Sequence, residues 1–78
     1  LGERGRRAAA GLGGAAALSS RELEVARLAA RGLTAREIGE RLGISRRTVE
    51  THLAHAYAKL GIASRRDLAA RAAELGLS

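Results

Sequence analysis

The chain has 78 residues, enough for one small domain, and contains no Cys, so disulfide frameworks, zinc fingers and thiol chemistry are excluded. Fourteen Lys and Arg residues against eight Asp and Glu give a net charge of +6, which suggests a polyanionic partner but is weak evidence alone. Ala, Leu and Arg favour helices and β-branched residues are few, so we predict an all-α fold. No apolar run approaches the roughly 20 residues of a membrane span, and we expect a cytoplasmic protein. Because the chain begins with Leu1 rather than Met, we expect it to be a fragment of a longer protein.

The N-terminal segment, residues 1–17, is rich in Gly and Ala and has no amphipathic period. A small basic cluster, Arg4, Arg6 and Arg7, lies near its start. Such composition is typical of a flexible tether, so we predict a linker over 1–17 and a folded domain over 18–78. The arginines leave a second interpretation open, in which the segment touches phosphate as a basic arm.

The first helix is predicted over about residues 20–31. Ser19 and Glu22 have the spacing of a capping box, in which each side chain accepts a hydrogen bond from the backbone N–H of the other residue. Gly32 is a suitable residue to end the helix. Its apolar stripe consists of Val25, Leu28 and Ala29.

A second capping box, Thr34 with Glu37, opens a short helix that ends at Gly43. Its inward positions are Ile38 and Leu42. About three residues then separate it from the next helix, with Gly where left-handed backbone geometry is needed. This spacing is that of the turn in a helix-turn-helix.

The third helix is predicted over about 46–60, with Ser45 as N-cap and Gly61 as its closing residue. One face carries an apolar stripe spaced for burial: Val49, Leu53, Ala56 and Leu60. The other face combines small side chains with charged and hydrogen-bonding ones: Arg46, Arg47, Thr48, Glu50, Thr51, Ala54, His55, Ala58 and Lys59. Small residues at the centre allow close approach to a surface, so we predict that this face binds DNA.

The fourth helix is predicted from Ser64, its N-cap, with Asp67 at the third position, to Gly76. Its apolar stripe includes three residues that either complete the monomer core or pair with a second copy: Leu68, Ala72 and Leu75. The sequence does not decide between these two alternatives.

From residue 18 to about 70 the chain resembles the LuxR/GerE-type helix-turn-helix domain. The resemblance rests on Glu22 and Val25 before Gly-Leu-Thr, on Glu37-Ile38, on the run TVETHL at 48–53, and on KLGI at 59–62. It implies a four-helix domain at the C-terminus of a bacterial transcriptional regulator, with the third helix in the major groove of double-stranded DNA. It further implies a homodimer on DNA, contact with RNA polymerase through the full-length regulator, and a missing sensory region.

The resemblance also implies roles for individual residues. It places Glu50, Thr51 and Ala54 at base edges, and it places five side chains at the DNA backbone: Thr34, Arg46, Arg47, Thr48 and Lys59. From side-chain chemistry we further predict that Arg47 faces base edges and that Ser45 and His55 meet the DNA backbone. Three roles remain open. Arg47 either meets phosphate or contacts guanine, and Thr48 either binds phosphate or only caps locally with Ser45. Glu50 either accepts from cytosine or orients a neighbouring arginine.

Two positions depart from the family pattern. Gly39 replaces the usual Ala, at a cost of about 1 kcal/mol in a helix interior, although it also allows close approach of the second and third helices. Ala56 replaces a larger residue. Both predict a loosely packed domain.

Other functions find less support in the sequence. His52 and His55 lack the further ligands of a metal site, and Tyr57 lies beside the core stripe, where we expect it to pack. No nucleophile–base pair or Gly-rich phosphate loop is present, so we predict neither an enzyme nor a cofactor. Two alternatives remain: a promoter-binding domain like region 4 of sigma factors, and a helical dimerisation module that never touches DNA.

Overall fold

The computed structural model describes residues 14–77, which form four α-helices after a short 3-10 helix at Gly14–Ala17. The α-helices are α1 (Ser20–Ala30), α2 (Ala35–Leu42), α3 (Arg46–Leu60) and α4 (Arg65–Ala70). No strand occurs within 14–77, and the predicted all-α class is confirmed. The last four residues of the predicted linker therefore form the 3-10 helix, which packs on α3, while residues 1–13 lie outside the described part.

The predicted capping boxes of α1 and α2 are both formed. The Ser19 hydroxyl accepts from the Glu22 N–H at 3.2 Å, and the Glu22 carboxylate accepts from the Ser19 N–H at 3.0 Å. Thr34 and Glu37 make the equivalent pair of bonds at 3.1 and 2.8 Å. Each box satisfies N–H groups that the first turn of a helix leaves without partners, so both helices start where the sequence indicates.

Each of the two helices of the helix-turn-helix ends at a glycine whose backbone lies in the left-handed region. Gly43 ends α2 with φ 73° and Gly61 ends α3 with φ 70°, a conformation that disfavours any residue with a Cβ. The following N–H groups, of Ile44 and Ile62, bond to the carbonyl five residues earlier at 3.0 and 3.1 Å. This pattern is the Schellman motif, and it stops each helix at the predicted residue.

The fourth helix is shorter than predicted: it ends at Ala70 and not near Gly76. Arg71 leaves the helical region with φ −109° and ψ 11°, and consecutive turns follow. Leu75 and Leu77, in and after these turns, are 8% and 2% exposed. A helix this short has little stability of its own, so packing against the core decides where it ends.

The core lies between α1, α3 and α4, with α2 packed on α3. All four residues of the predicted inner stripe of α3 are buried: Val49, Leu53, Ala56 and Leu60. The guanidinium of Arg65 donates to the carbonyls of Ala29 and Leu33 and so ties the start of α4 to the end of α1. Within 14–77 no helix has the length and apolarity needed to cross a bilayer.

Gly39 marks the closest approach of α2 to the turn that precedes α3. The residue is buried, and a Cβ placed on it would lie 2.6 Å from the carbonyl oxygen of Ile44. Real Cβ atoms do not come so close to backbone oxygen, so the turn fits a glycine here and would have to move for alanine. The structure therefore supports the close-approach interpretation of Gly39 at this contact.

Candidate nucleic-acid interface

The outward face of α3 forms one continuous exposed surface. It contains every residue of that helix predicted from the sequence to face DNA: Arg46, Arg47, Thr48, Glu50, Thr51, Ala54, His55 and Lys59. The buried stripe on the opposite side fixes the orientation of this face, because rotating the helix would expose Val49 and Leu53. The structure thus brings the predicted α3 residues together on one side of the molecule.

The start of α3 is organised by two hydroxyl groups. Ser45 Oγ accepts from the Thr48 N–H at 3.0 Å and donates to Thr48 Oγ1 at 2.9 Å. Local capping, one of the two roles considered for Thr48, is therefore present. The hydrogen of the Thr48 hydroxyl is not used in this pair, so the same side chain can still donate to a phosphate.

Arg46 and Arg47 differ in their surroundings although they are neighbours. Arg46 Nε lies 3.7 Å from Glu50 Oε2, in a pair whose side chains are 69% and 56% exposed. Such a pair is weak in water, and Glu50 can leave it when a phosphate or base approaches. Arg47 is exposed and has no carboxylate within ion-pair distance among residues 14–77, so its guanidinium is available to a ligand.

The centre of the face is small and partly apolar. Thr51 Oγ1 donates to the carbonyl of Arg47 at 3.1 Å, so the hydroxyl hydrogen is engaged within the helix. Ala54, one turn on, is exposed. Both side chains offer methyl groups, and the surface between them is low enough for another macromolecule to come close.

Thr34 lies at the start of α2, exposed, with its hydroxyl accepting from the Glu37 N–H. The Glu37 carboxylate accepts from the Thr34 N–H, and this backbone hydrogen bond lowers the pKa of Glu37. The hydroxyl hydrogen of Thr34 remains available for a phosphate. The adjacent negative charge, however, weakens the attraction of this helix start for anions.

Lys59 and His55 have a partner that the sequence did not indicate. Lys59 Nζ lies 2.7 Å from Glu22 Oε1, and His55 Nδ1 lies 3.7 Å from Glu22 Oε2. The Glu22 side chain is only 7% exposed, and the hydrogen bonds from Lys59 and from the Ser19 backbone lower its pKa from 4.5 to about 2. A buried carboxylate needs such partners, so this contact joins α1 to the C-terminal half of α3.

From the sequence, Glu22 was predicted as half of a capping box and, with Val25, as part of the family resemblance, but no ionic partner was predicted for it. Its spacing of three from Val25 and seven from Ala29 places it on the inward stripe of α1, and a carboxylate on such a stripe requires a cation. That signal was present in the sequence. The identity of the cation was not, because Lys59 is 37 positions away.

The residues considered for a dimer contact lie in the monomer core. Leu68, Ala72 and Leu75 are 0%, 9% and 8% exposed. Of the two alternatives, completion of the core is therefore the one found in the structure, and these side chains present little surface to a second copy. Pairing of two chains stays a prediction.

His52 and Tyr57 are half-buried at the edges of the α3 stripe, and Tyr57 packs against the core as predicted. No group of three or more His, Asp or Glu side chains within residues 14–77 has the arrangement of a metal site.

Comparison with known proteins agrees with this geometry. The family model described as bacterial regulatory proteins, luxR family, matches residues 16–72. An HTH-type transcriptional regulator of Mycobacterium bovis is 51% identical over 59 residues, which is 76% of this chain and 7% of that protein. The oxygen regulatory protein NreC of Staphylococcus aureus is 47% identical over 51 residues, covering 65% of this chain and 24% of NreC.

The chain thus spans only a small part of the relatives that it matches. No solved structure gives a significant match.

Proposed function

This chain belongs to the luxR family of bacterial regulatory proteins, whose helix-turn-helix domain binds DNA, and we propose that it recognises a specific sequence in double-stranded DNA. It would do so as the C-terminal domain of a transcriptional regulator, with α3 lying in the major groove. The observation that carries this proposal is the exposed face of α3, on which Arg47, with no ion-pair partner among residues 14–77, flanks small side chains at the centre.

Positioning on the DNA backbone falls to the starts of the two helices of the motif. Arg46 and the hydroxyl groups of Thr34, Ser45 and Thr48 are exposed there. The free N–H groups and the positive end of the α3 dipole add to their attraction for phosphate. These contacts fix the register of the protein but carry little sequence information.

Base readout falls to the centre of α3. Arg47 is suited to a bidentate contact with guanine, and the methyl groups of Thr51 and Ala54 are suited to the methyl of thymine. Glu50 is suited to accept from the amino group of cytosine once it leaves Arg46. These few contacts discriminate only modestly, so we propose that two copies bind paired half-sites and together supply the specificity.

The dimer, the contact with RNA polymerase and the cytoplasmic, nucleoid-bound location are parts of the same proposal and belong to the whole regulator. Since Leu68 of α4 and Ala72 and Leu75 beyond it are buried, a dimer contact through this helix would use its outward residues, which include Arg66, Ala69 and Ala70.

The test is selection of duplexes from a randomised pool, followed by anisotropy titrations of the selected duplex and a scrambled one over a salt series. We expect enrichment of a two-fold-related site, weaker binding by Arg47→Ala, and altered base preference in Thr51→Ala. Arg27→Ala, which removes an exposed arginine of α1 outside the helix-turn-helix, is the matched control and should bind nearly as the unmodified chain does. If both duplexes bind alike with equal salt dependence, or neither binds, sequence-specific recognition is wrong.

A further inference from the structure

The cations at the two ends of the exposed face of α3 have different carboxylate partners. At the N-terminal end, Arg46 pairs loosely with an exposed carboxylate on its own helix. At the C-terminal end, Lys59 pairs at 2.7 Å with Glu22, which belongs to α1 and is nearly buried. The second carboxylate is fixed, because its oxygen Oε1 also accepts from the Ser19 N–H at 3.0 Å.

We propose that Glu22 is a positioning residue that holds the Lys59 ammonium against α1, so that Lys59 makes no productive phosphate contact. The domain then contacts the DNA backbone through the N-terminal half of α3 and the start of α2. The inference rests on the proposed function. It replaces the sequence-based prediction of backbone contacts at Lys59 and His55.

Charge accounts for the first part of this effect. The negative charge of Glu22 lies 2.7 Å from the positive charge of Lys59 and offsets it. A phosphate farther away is therefore attracted to the pair only weakly. His55 Nδ1 lies 3.7 Å from the other carboxylate oxygen, so Glu22 has two side chains of α3 beside it.

Geometry accounts for the second part. Glu22 is anchored on the inward side of α1 and cannot follow Lys59 toward solvent, whereas Glu50 can swing away from Arg46. To reach a phosphate, Lys59 would have to leave a buried carboxylate without its closest cation. That loss is large compared with the modest gain from one solvent-exposed phosphate contact.

The salt dependence of DNA binding measures this difference, because each neutralised phosphate adds about 0.9 to the slope of log affinity against log salt. The variants are Lys59→Met, Glu22→Gln and their combination, with Arg46→Gln as the matched control that also removes one paired cation. Gln keeps the oxygen that caps Ser19, so Glu22→Gln is expected to fold.

We expect Lys59→Met to leave the slope unchanged and Arg46→Gln to reduce it by about 0.9. Glu22→Gln should increase the slope by about the same amount, because Lys59 becomes free to meet phosphate. The double variant should return to the original slope. A slope reduced by about 0.9 in Lys59→Met would overturn the proposal, since Lys59 would then already contact the backbone.

A second measurement needs no DNA. Lys59 is the only lysine among the 14 basic residues, so an amine-acylating reagent followed by peptide mass mapping reports its reactivity without interference from other side chains. We expect Glu22→Gln to raise the acylation rate of Lys59 several-fold. Equal rates in the two proteins would mean that Glu22 does not hold the lysine, and would overturn the proposal whatever the salt slopes show.

The two measurements separate the proposals from each other. Faster acylation in Glu22→Gln without any duplex binding would show that Glu22 does hold Lys59. It would nevertheless overturn both the proposed effect of this contact on DNA binding and the proposed function. Specific duplex binding with a Lys59→Met slope reduced by about 0.9 would support the proposed function and reject only the role of Glu22.

Discussion

The N-terminal and C-terminal halves of α3 are stabilised by different kinds of polar contact. The N-terminal half uses contacts within three or four residues: Ser45 with Thr48, and Arg46 with Glu50. The C-terminal half uses a contact that spans 37 positions and joins two helices, Lys59 with Glu22. Local, exposed groups can exchange their partners for a ligand, whereas a cation held by a nearly buried carboxylate of another helix resists such exchange. The half that is free to rearrange is the one that we expect to meet DNA.

Both halves share one apolar stripe, and the close approach at Gly39 sets the position of the N-terminal half. Without the short distance between α2 and the turn at Ile44, the start of α3 would move relative to α2. The two halves of α3 therefore differ in backbone packing as well as in side-chain contacts.

The largest effect is expected for Gly39→Val, which forces the turn away from α2. Overpacking of a buried site, added to the unfavourable helix propensity of a β-branched residue, should lower the free energy of unfolding by about 3 kcal/mol. Urea denaturation measures it, with Glu40→Val as the control, because Glu40 is the exposed neighbour on the same helix. A Gly39→Val protein as stable as its control would show that the turn yields easily and that the N-terminal half is not held by backbone contact.

Local signals predicted most of this fold. The capping residues and closing glycines of α1, α2 and α3 act within five positions, so their sequence spacing determines the helix ends. The end of α4 was missed because burial of Leu75 and Leu77, and not a local breaker, decides it. For the same reason the exposed face of α3 was predictable from periodicity, while the partner of Glu22 depended on how α1 packs against α3.

The second largest effect is expected from a comparison of Glu22 and Glu50, the two carboxylates that face cations of α3. Glu22→Ala removes the partner of Lys59 and one half of the α1 capping box, so we expect the midpoint of thermal unfolding to fall by more than about 5 °C. Glu50→Ala removes an exposed pair and should change the midpoint by less than about 3 °C. Circular dichroism melts measure both. Equal shifts would remove the distinction between the nearly buried carboxylate of Glu22 and the exposed one of Glu50.

The pH dependence of stability should also reflect the ionised carboxylate of Glu22. The pKa of Glu22 falls from 4.5 to about 2 on folding, so its ionised form stabilises the fold fully above about pH 5, and this contribution is lost as pH falls toward 2. Glu22→Gln should therefore show a smaller loss of stability between pH 5 and 2 than the unmodified chain. Glu37, whose pKa is also lowered, contributes with the same sign, so Glu37→Gln is the control for the exposed capping box of α2. Identical pH profiles for Glu22→Gln and the unmodified chain would mean that the Lys59 contact is absent in solution.

The smallest effect concerns the hydroxyl pair at the start of α3. Ser45→Ala removes the acceptor for the Thr48 N–H and should lower the free energy of unfolding by about 1 kcal/mol. Thr48→Val keeps the shape of the side chain and leaves that cap in place, so it should lower stability by no more than about 0.5 kcal/mol. Because the Thr48 hydroxyl still has a hydrogen to donate, Thr48→Val should weaken DNA binding more than it weakens folding, as measured by anisotropy beside urea denaturation. A Thr48→Val protein that loses stability but binds DNA unchanged would limit Thr48 to capping, and the exchange of partners that distinguishes this half of α3 would then rest on Arg46 and Arg47.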